Sequence, residues 1–119
     1  MKIKQIVDAL PSLQKLAGCE LTLQKLYNIQ KLMGRLNEEL AFYDEQRSKI
    51  LGKYCDIQGN QYIPRAENMG KLNEEMEELL DTEIEGEINE VVLGIDEDVK
   101  LSYNDLMALT GFVRIGDER

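Results

Sequence analysis

Between Leu26 and Tyr54 the apolar side chains recur at alternating steps of three and four. Leu26, Ile29, Met33, Leu36, Leu40 and Tyr43 keep the beat, Ile50 and Tyr54 resume it, and Arg47 stands where the repeat asks for an apolar residue. This spacing predicts one long helix over 22–56 with a coiled-coil-like seam. Leu32, Phe42 and Leu51 widen the stripe. A stripe that wide is buried against more than one neighbour, so the N-terminal helix or a second subunit is expected to cover what one partner helix leaves open. Upstream, Leu10, Leu13 and Leu16 fall three apart, Pro11 suits a first helical turn and Gly18 a C-terminal cap, which predicts a short helix over 10–17.

Past the long helix, β-prone runs on either side of Gly59-Asn60 read as a hairpin-like tip over 57–65, closed by Pro64. The helical beat returns over 66–80 in Met69, Leu72, Met76 and Leu79, with Glu67, Glu74, Glu75, Glu77 and Glu78 on the opposite face. After Leu80 the period fails. Ile84, Ile88 and the run Val91-Val92-Leu93 predict extended chain over 81–101 with one strand at most. In "LSYNDLMALTG", Ser102 is placed to cap a helix over 102–110 whose third residue is Asp105. Leu101 and Leu106 are spaced as a hydrophobic staple, and Gly111 ends the helix. The tail is expected to dock Phe112, Val113 and Ile115. The expected fold is therefore mainly α and a single domain over 1–119. It is an antiparallel long-helix hairpin with a β-hairpin-like tip, a short N-terminal helix, and an extended segment plus short helix at the C-terminus.

Folding the chain back around Gly59-Asn60 gives Arg47 a structural use. That register sets it beside Glu74, Glu75 or Glu78, where an arginine fork on a carboxylate would help fix the pairing of the two helices. Gly34, in the middle of the long helix, costs about 1 kcal/mol relative to alanine. It is expected to mark close packing by the N-terminal helix.

Composition narrows the function classes. With 119 residues, 43% hydrophobic and 31% charged, the chain is long enough for one modest core. It has no run approaching about 18 apolar residues and no secretory h-region, so a cytoplasmic protein without a membrane segment is expected. Residues 1–60 hold nine Lys/Arg against seven Asp/Glu, whereas residues 61–119 hold five against sixteen. A second half that acidic is repelled by phosphates, which argues against direct nucleic-acid binding.

Candidate chemistry is thin. The chain has no histidine, and its two cysteines, Cys19 and Cys55, lie far apart without a CxxC partner. Zinc is not expected, the commonest general base is missing, and both thiols fit packed, reduced side chains. Asp96, Glu97 and Asp98 offer oxygen ligands, but they lack the spaced acids and central glycine of a calcium loop and read as a solvated acidic turn. The glutamates of 74–87 lie opposite the heptad face, where a charge run is a wet surface. The glycines form neither a GxGxxG nor a P-loop, and the five tyrosines form no stacking platform. No catalytic, cofactor-binding or metal-binding residue is assigned, and a non-enzymatic protein is expected.

The order of these parts resembles a family of small proteins of unknown function encoded by tailed phages and prophages of Gram-positive bacteria. The likeness runs through "ALPSLQKLA", "LNEELAFYDEQRSKILGKY", "DIQGNQY", "NEEMEELLDTEIE" and "LSYNDLMALTGFV". These are patterns of core and turn residues, so the resemblance implies a phage origin and a bacterial host cell, and it transfers no site. Two functions follow as expectations. The first is an interaction protein, a homodimer or other homo-oligomer among its forms, that binds a phage-encoded protein in virion or tail assembly. The alternative is an acidic inhibitor of a host nucleic-acid enzyme or defence system that imitates phosphate charge.

Overall fold

The computed structural model describes residues 1–94 and 99–116. The acidic run Asp96, Glu97 and Asp98 lies outside the described residues, as does the end of the tail from 117 onward. The chain is mainly helical with two small sheets. In order it forms helix α1 (Ile3–Ala17), helix α2 (Leu23–Tyr54), strands β1 (Cys55–Gln58) and β2 (Gln61–Pro64), one 3₁₀ turn (Ala66–Asn68) and helix α3 (Met69–Leu80). Strand β3 (Val91–Leu93), helix α4 (Tyr103–Ala108) and strand β4 (Val113–Ile115) follow.

The 32 residues of α2 set the shape. At 1.5 Å per residue they span about 48 Å, most of the molecule's 54 Å long axis. The radius of gyration is 17.2 Å, against roughly 13.5 Å for a spherical domain of this length. The chain is elongated, with a packed head around the first half of α2 and an arm along the second.

The head is built on α1. Ile6, Ala9, Leu13 and Leu16 are fully withdrawn from water and meet Ile29, Leu32 and Leu36 of α2, Val91 and Leu93 of β3, and Leu109, Phe112 and Val113. This stripe corrects the sequence reading of the first helix. The helix begins at Ile3, well before position 10, because Ile3 and Ile6 are in phase with Leu13 and Leu16, and because the Gln5 side chain accepts the Lys2 amide hydrogen at 2.8 Å. Pro11 therefore sits inside the helix, on its exposed side, where it withholds a backbone donor from the preceding turn. Ala9 takes the core position that periodicity assigned to Leu10, which is only half-buried.

The C-terminal part of the head holds a pairing that short strands do not advertise. β3 and β4 are parallel, Val91 opposite Val113 and Leu93 opposite Ile115, with α4 in the crossover between them. Gly111, at φ +93°, takes the left-handed turn that leads out of α4 toward β4. Phe112 and Val113 dock as expected, whereas Ile115 remains 47% exposed. Leu106 is 41% exposed and Leu101 is half-buried.

The arm consists of the second half of α2, the β1–β2 pair and α3. β1 and β2 are antiparallel with Gln58 opposite Gln61, leaving Gly59-Asn60 as a two-residue turn. Gly59 has φ +63°, the left-handed first position that glycine takes in type II′ hairpins. α3 lays Leu72 and Leu79 against the arm and rejoins the head, where the Ile3 amide donates to the Thr82 carbonyl at 3.0 Å and the Ile84 amide to Met1 at 2.9 Å. Arg35 of α2 donates to the Glu85 carbonyl at 2.7 Å and holds the segment that follows.

The pairing expected of Arg47 is not formed. Arg47 is exposed and has no ion pair among the described residues. Its place is taken by Lys53, whose ammonium lies 2.9 Å from Glu75. The register differs because α2 passes into β1 without a loop, while Arg65 and a full 3₁₀ turn separate β2 from α3. Those extra residues all fall on the returning side and slide the acidic helix toward the tip. Gly34 departs from expectation too: it is exposed, and a Cβ built on it meets nothing within 4 Å.

Two substitutions on α1 test this arrangement in opposite directions. Leu13→Ala removes a fully buried side chain and is expected to lower stability by about 2–5 kcal/mol. Pro11→Ala restores a helical donor at an exposed position and should raise it by about 1–2 kcal/mol, the unfolded chain's gain in freedom offsetting part of the benefit. Urea unfolding of the full chain measures both, and a Pro11→Ala variant less stable than the parent would refute the interior placement of that residue.

Candidate interaction surface

One group of side chains has the composition of a reactive centre. Ser12 and Lys15, one turn apart on α1, converge on Asp105 of α4. The Ser12 hydroxyl donates to one carboxylate oxygen at 2.7 Å, and the Lys15 ammonium to the other at 2.7 Å. The Ser102 amide adds a third donor at 3.0 Å, and the Ser102 hydroxyl accepts the Asp105 amide at 3.1 Å, closing the helix cap. Ser12 and Asp105 are both buried. Lys15, then the Ser102 amide, then Ser12 hold the Asp105 carboxyl well below the usual carboxylate range.

That saturation decides the cluster's role. A carboxylate with its oxygens occupied and its proton affinity depressed is a poor base near neutral pH, and a buried serine that gives its hydrogen to it is not presented to a substrate. The group is a clamp between α1 and α4. Elsewhere, Cys19 is half-buried with its thiol 3.4 Å from the Lys15 carbonyl, and Cys55 is buried at the start of β1; both are free. Among the described residues no three His, Cys, Asp or Glu side chains are grouped to hold a metal ion. Among the described residues no helix is long and apolar enough to cross a membrane.

The open surfaces are on the arm. Its far end is braced by a small polar network. Glu75 faces the Tyr54 hydroxyl and the Lys53 ammonium, which together hold its carboxyl below the ordinary value, and Glu75 in turn pushes Lys53 and Tyr54 up. Arg65 donates its guanidinium to the Lys53 carbonyl at 3.0 Å, and its amide to the Tyr54 carbonyl at 3.2 Å. A cation on the last carbonyls of α2 satisfies groups that the helix leaves without partners. Periodicity gave no sign of this residue, since its use depends on a chain reversal that brings position 65 back to position 53.

Beyond this brace the two strands stand free. From the pairing of Ile57 with Tyr62, both side chains share one face, and Ile63 lies on the other. Ile57 is 66% exposed, while Tyr62, Ile63 and the nearby Met69 are each about 40% exposed. Among the described residues β1 and β2 pair only with each other, so both outer edges keep unpaired backbone donors and acceptors. Glu67 in the 3₁₀ turn and Glu74, Glu77 and Glu78 along α3 are exposed, without an ion pair among the described residues.

A second opening follows α2 itself. Leu26, Met33 and Leu40 are half-buried at the edge of its core-facing side, Met33 and Leu40 packed against the core. A groove of about 530 Å³ runs past Leu26, Met33, Gly34 and Asn37, bounded by Ala17 at the end of α1.

The clamp makes a pH prediction whose sign is fixed by the lowered Asp105 value. Its stabilising contribution is complete above the unfolded-chain pKa of about 3.9, declines below it, and is gone once pH has fallen through the folded value. Asp105→Asn is therefore expected to lower the thermal midpoint at pH 7 and to flatten its fall between pH 5 and about pH 2. Thermal scans across that range check it, and parallel curves for parent and variant would rule the clamp out as a source of acid sensitivity.

Comparison with protein-family models, with curated proteins and with solved structures finds no match to this chain.

Proposed function

We propose that the chain is a non-enzymatic interaction protein that presents the β1–β2 tip, at the end of its helical arm, to a protein partner. The observation that carries this reading is the tip itself. A two-stranded hairpin is at best marginally stable alone in water, yet here both faces expose apolar side chains and both edges keep free backbone groups. Such an edge suits addition of a partner strand, with Ile57 and Tyr62 filling pockets on one face of the joint sheet. The helical hairpin acts as the rigid stalk. The sequence resemblance points to a phage-encoded partner in virion or tail assembly.

The unpaired row Glu67, Glu74, Glu77 and Glu78 supports a second reading, an acidic inhibitor that imitates phosphate. The two differ in salt response. Strand addition with apolar anchors persists in moderate salt, whereas mimicry through exposed carboxylates weakens over a Debye length of about 8 Å.

The test is affinity capture from infected or lysogenic cells with the full chain and with an Ile57→Thr/Tyr62→Thr variant. Threonine keeps strand propensity and adds no charge at these paired positions, so the variant should keep its thermal midpoint. Recovery of virion proteins by the parent, reduced at least about tenfold for the variant, is the expected result. Equal capture by the two would reject the tip, and a nuclease released by moderate salt would favour the acidic inhibitor.

A further inference from the structure

The phase of the β1–β2 ladder fixes which backbone groups of the tip face outward. The Arg65 amide donates to the Tyr54 carbonyl at 3.2 Å, so Tyr54 and Arg65 form a hydrogen-bonded pair at the base of the hairpin. Bonded and non-bonded pairs alternate along an antiparallel ladder. In the observed register Asp56–Ile63 and Gln58–Gln61 are therefore bonded pairs, whereas Cys55–Pro64 and Ile57–Tyr62 are non-bonded ones. Pro64 fits this phase, because a residue without an N–H is accommodated where the strand faces away from its neighbour. The amide and carbonyl of Ile57 thus point away from β2, and those of Tyr62 away from β1.

The two edges are not equally open. The outward amide of Cys55 is taken by the Leu51 carbonyl, so the last turn of α2 closes the base of the β1 edge. On β2 the corresponding donor is missing, since that position is Pro64. What remains within the strands is the Ile57 amide on one edge and the Tyr62 amide on the other. Ile57 is 66% exposed against 38% for Tyr62, which makes the β1 edge the more accessible. A strand added there pairs with the N–H and C=O of Ile57. The side chain it sets opposite Ile57 falls in line with Ile57 and Tyr62 on one face of the joint sheet, a place that suits a β-branched or aromatic residue.

Charge restricts the added strand further. Residues 57–64 read IQGNQYIP, eight in succession without a charge. The flanking Asp56 and Arg65 face each other at 3.6 Å, and Lys53 is held by Glu75. A charged segment laid on this window gives up hydration and meets no free counter-charge, a cost that an uncharged segment avoids.

We propose that the β1 edge at Ile57 accepts an uncharged extended segment of a partner protein, with a β-branched or aromatic residue opposite Ile57. This rests on the reading of the tip as a partner site, and adds to it the edge used and the chemistry of the segment.

Panning a multivalently displayed random peptide library on the immobilised full chain tests it. Ile57→Pro removes the outward donor and Ile57→Thr keeps it. Position 57 makes no ladder bond, so both variants should retain the parent's circular-dichroism signal and thermal midpoint. Synthetic copies of the enriched peptides are expected to be uncharged, with alternating β-branched or aromatic residues. They should bind Ile57→Pro at least about tenfold more weakly than Ile57→Thr. Their affinity for the parent should change by less than about twofold between roughly 50 and 500 mM salt. Amide exchange in the parent gives a reading that needs no variant: bound peptide should slow exchange at Ile57 by about tenfold or more and leave Tyr62 unchanged. Failure to enrich any peptide overturns the proposal, as do basic peptides that salt releases, equal binding to the two variants, or protection at Tyr62 in place of Ile57. Capture from cells that needs the Ile57 and Tyr62 side chains but not the Ile57 amide keeps the tip and rejects the edge. Edge-dependent peptides without capture of virion proteins keep the edge and reject the assembly role.

Discussion

The burial of one face of α1 is the constraint on which the other elements depend. Ile3, Ile6, Ala9, Leu13 and Leu16 are almost wholly removed from water, and the parts that cover them come from α2, β3, α4 and the turn into β4. A 15-residue helix with an internal proline is not stable by itself, since isolated helices of that length are marginal even without one. Its neighbours must hold it, and it must hold them. The same helix carries Ser12 and Lys15 to Asp105, so the clamp on α4 exists only once α1 is seated. Its first residues also meet Thr82 and Ile84, which fastens the returning arm to the head. Apolar burial thus places the polar contacts, and those contacts determine how the peripheral elements dock.

What the sequence revealed follows the range of the physics involved. The mainly helical character and the long α2 were legible because a heptad beat repeats over many turns. The Ser102–Asp105 cap was legible because it closes within four residues. The start of α1 was not, because Pro11 imitates a first turn and outweighed the fainter phase of Ile3 and Ile6. The parallel pairing of β3 with β4 was hidden as well: three-residue strands joined through a helix carry no period of their own. Arg47 shows the limit most plainly. Its position within α2 could be read from the repeat, but its facing residue depended on how many residues the reversal consumes, and the 3₁₀ turn at Ala66–Asn68 left no hydrophobic signature.

The contrast between inside and outside bears on function. In the head, the polar groups that a chemist would notice are spent: Asp105 is saturated by three donors, Ser12 is buried, and Lys15 is committed. On the arm, polar groups are left over, in the strand edges, the glutamate row and Arg47. A reactive centre needs the reverse, an unsatisfied group held in a sheltered cleft. Unsatisfied groups on an elongated, exposed surface are what recognition uses.

Geometry then explains why the openings lie where they do. α1 and α3 each cover one arc of α2, the first near its start and the second near its end, and both approach from the core side. A helix neighbour covers only a limited arc. Leu26, Met33 and Leu40 fall at the border of the covered arc and so are left half-wet, a condition that neither a core residue nor a surface residue favours.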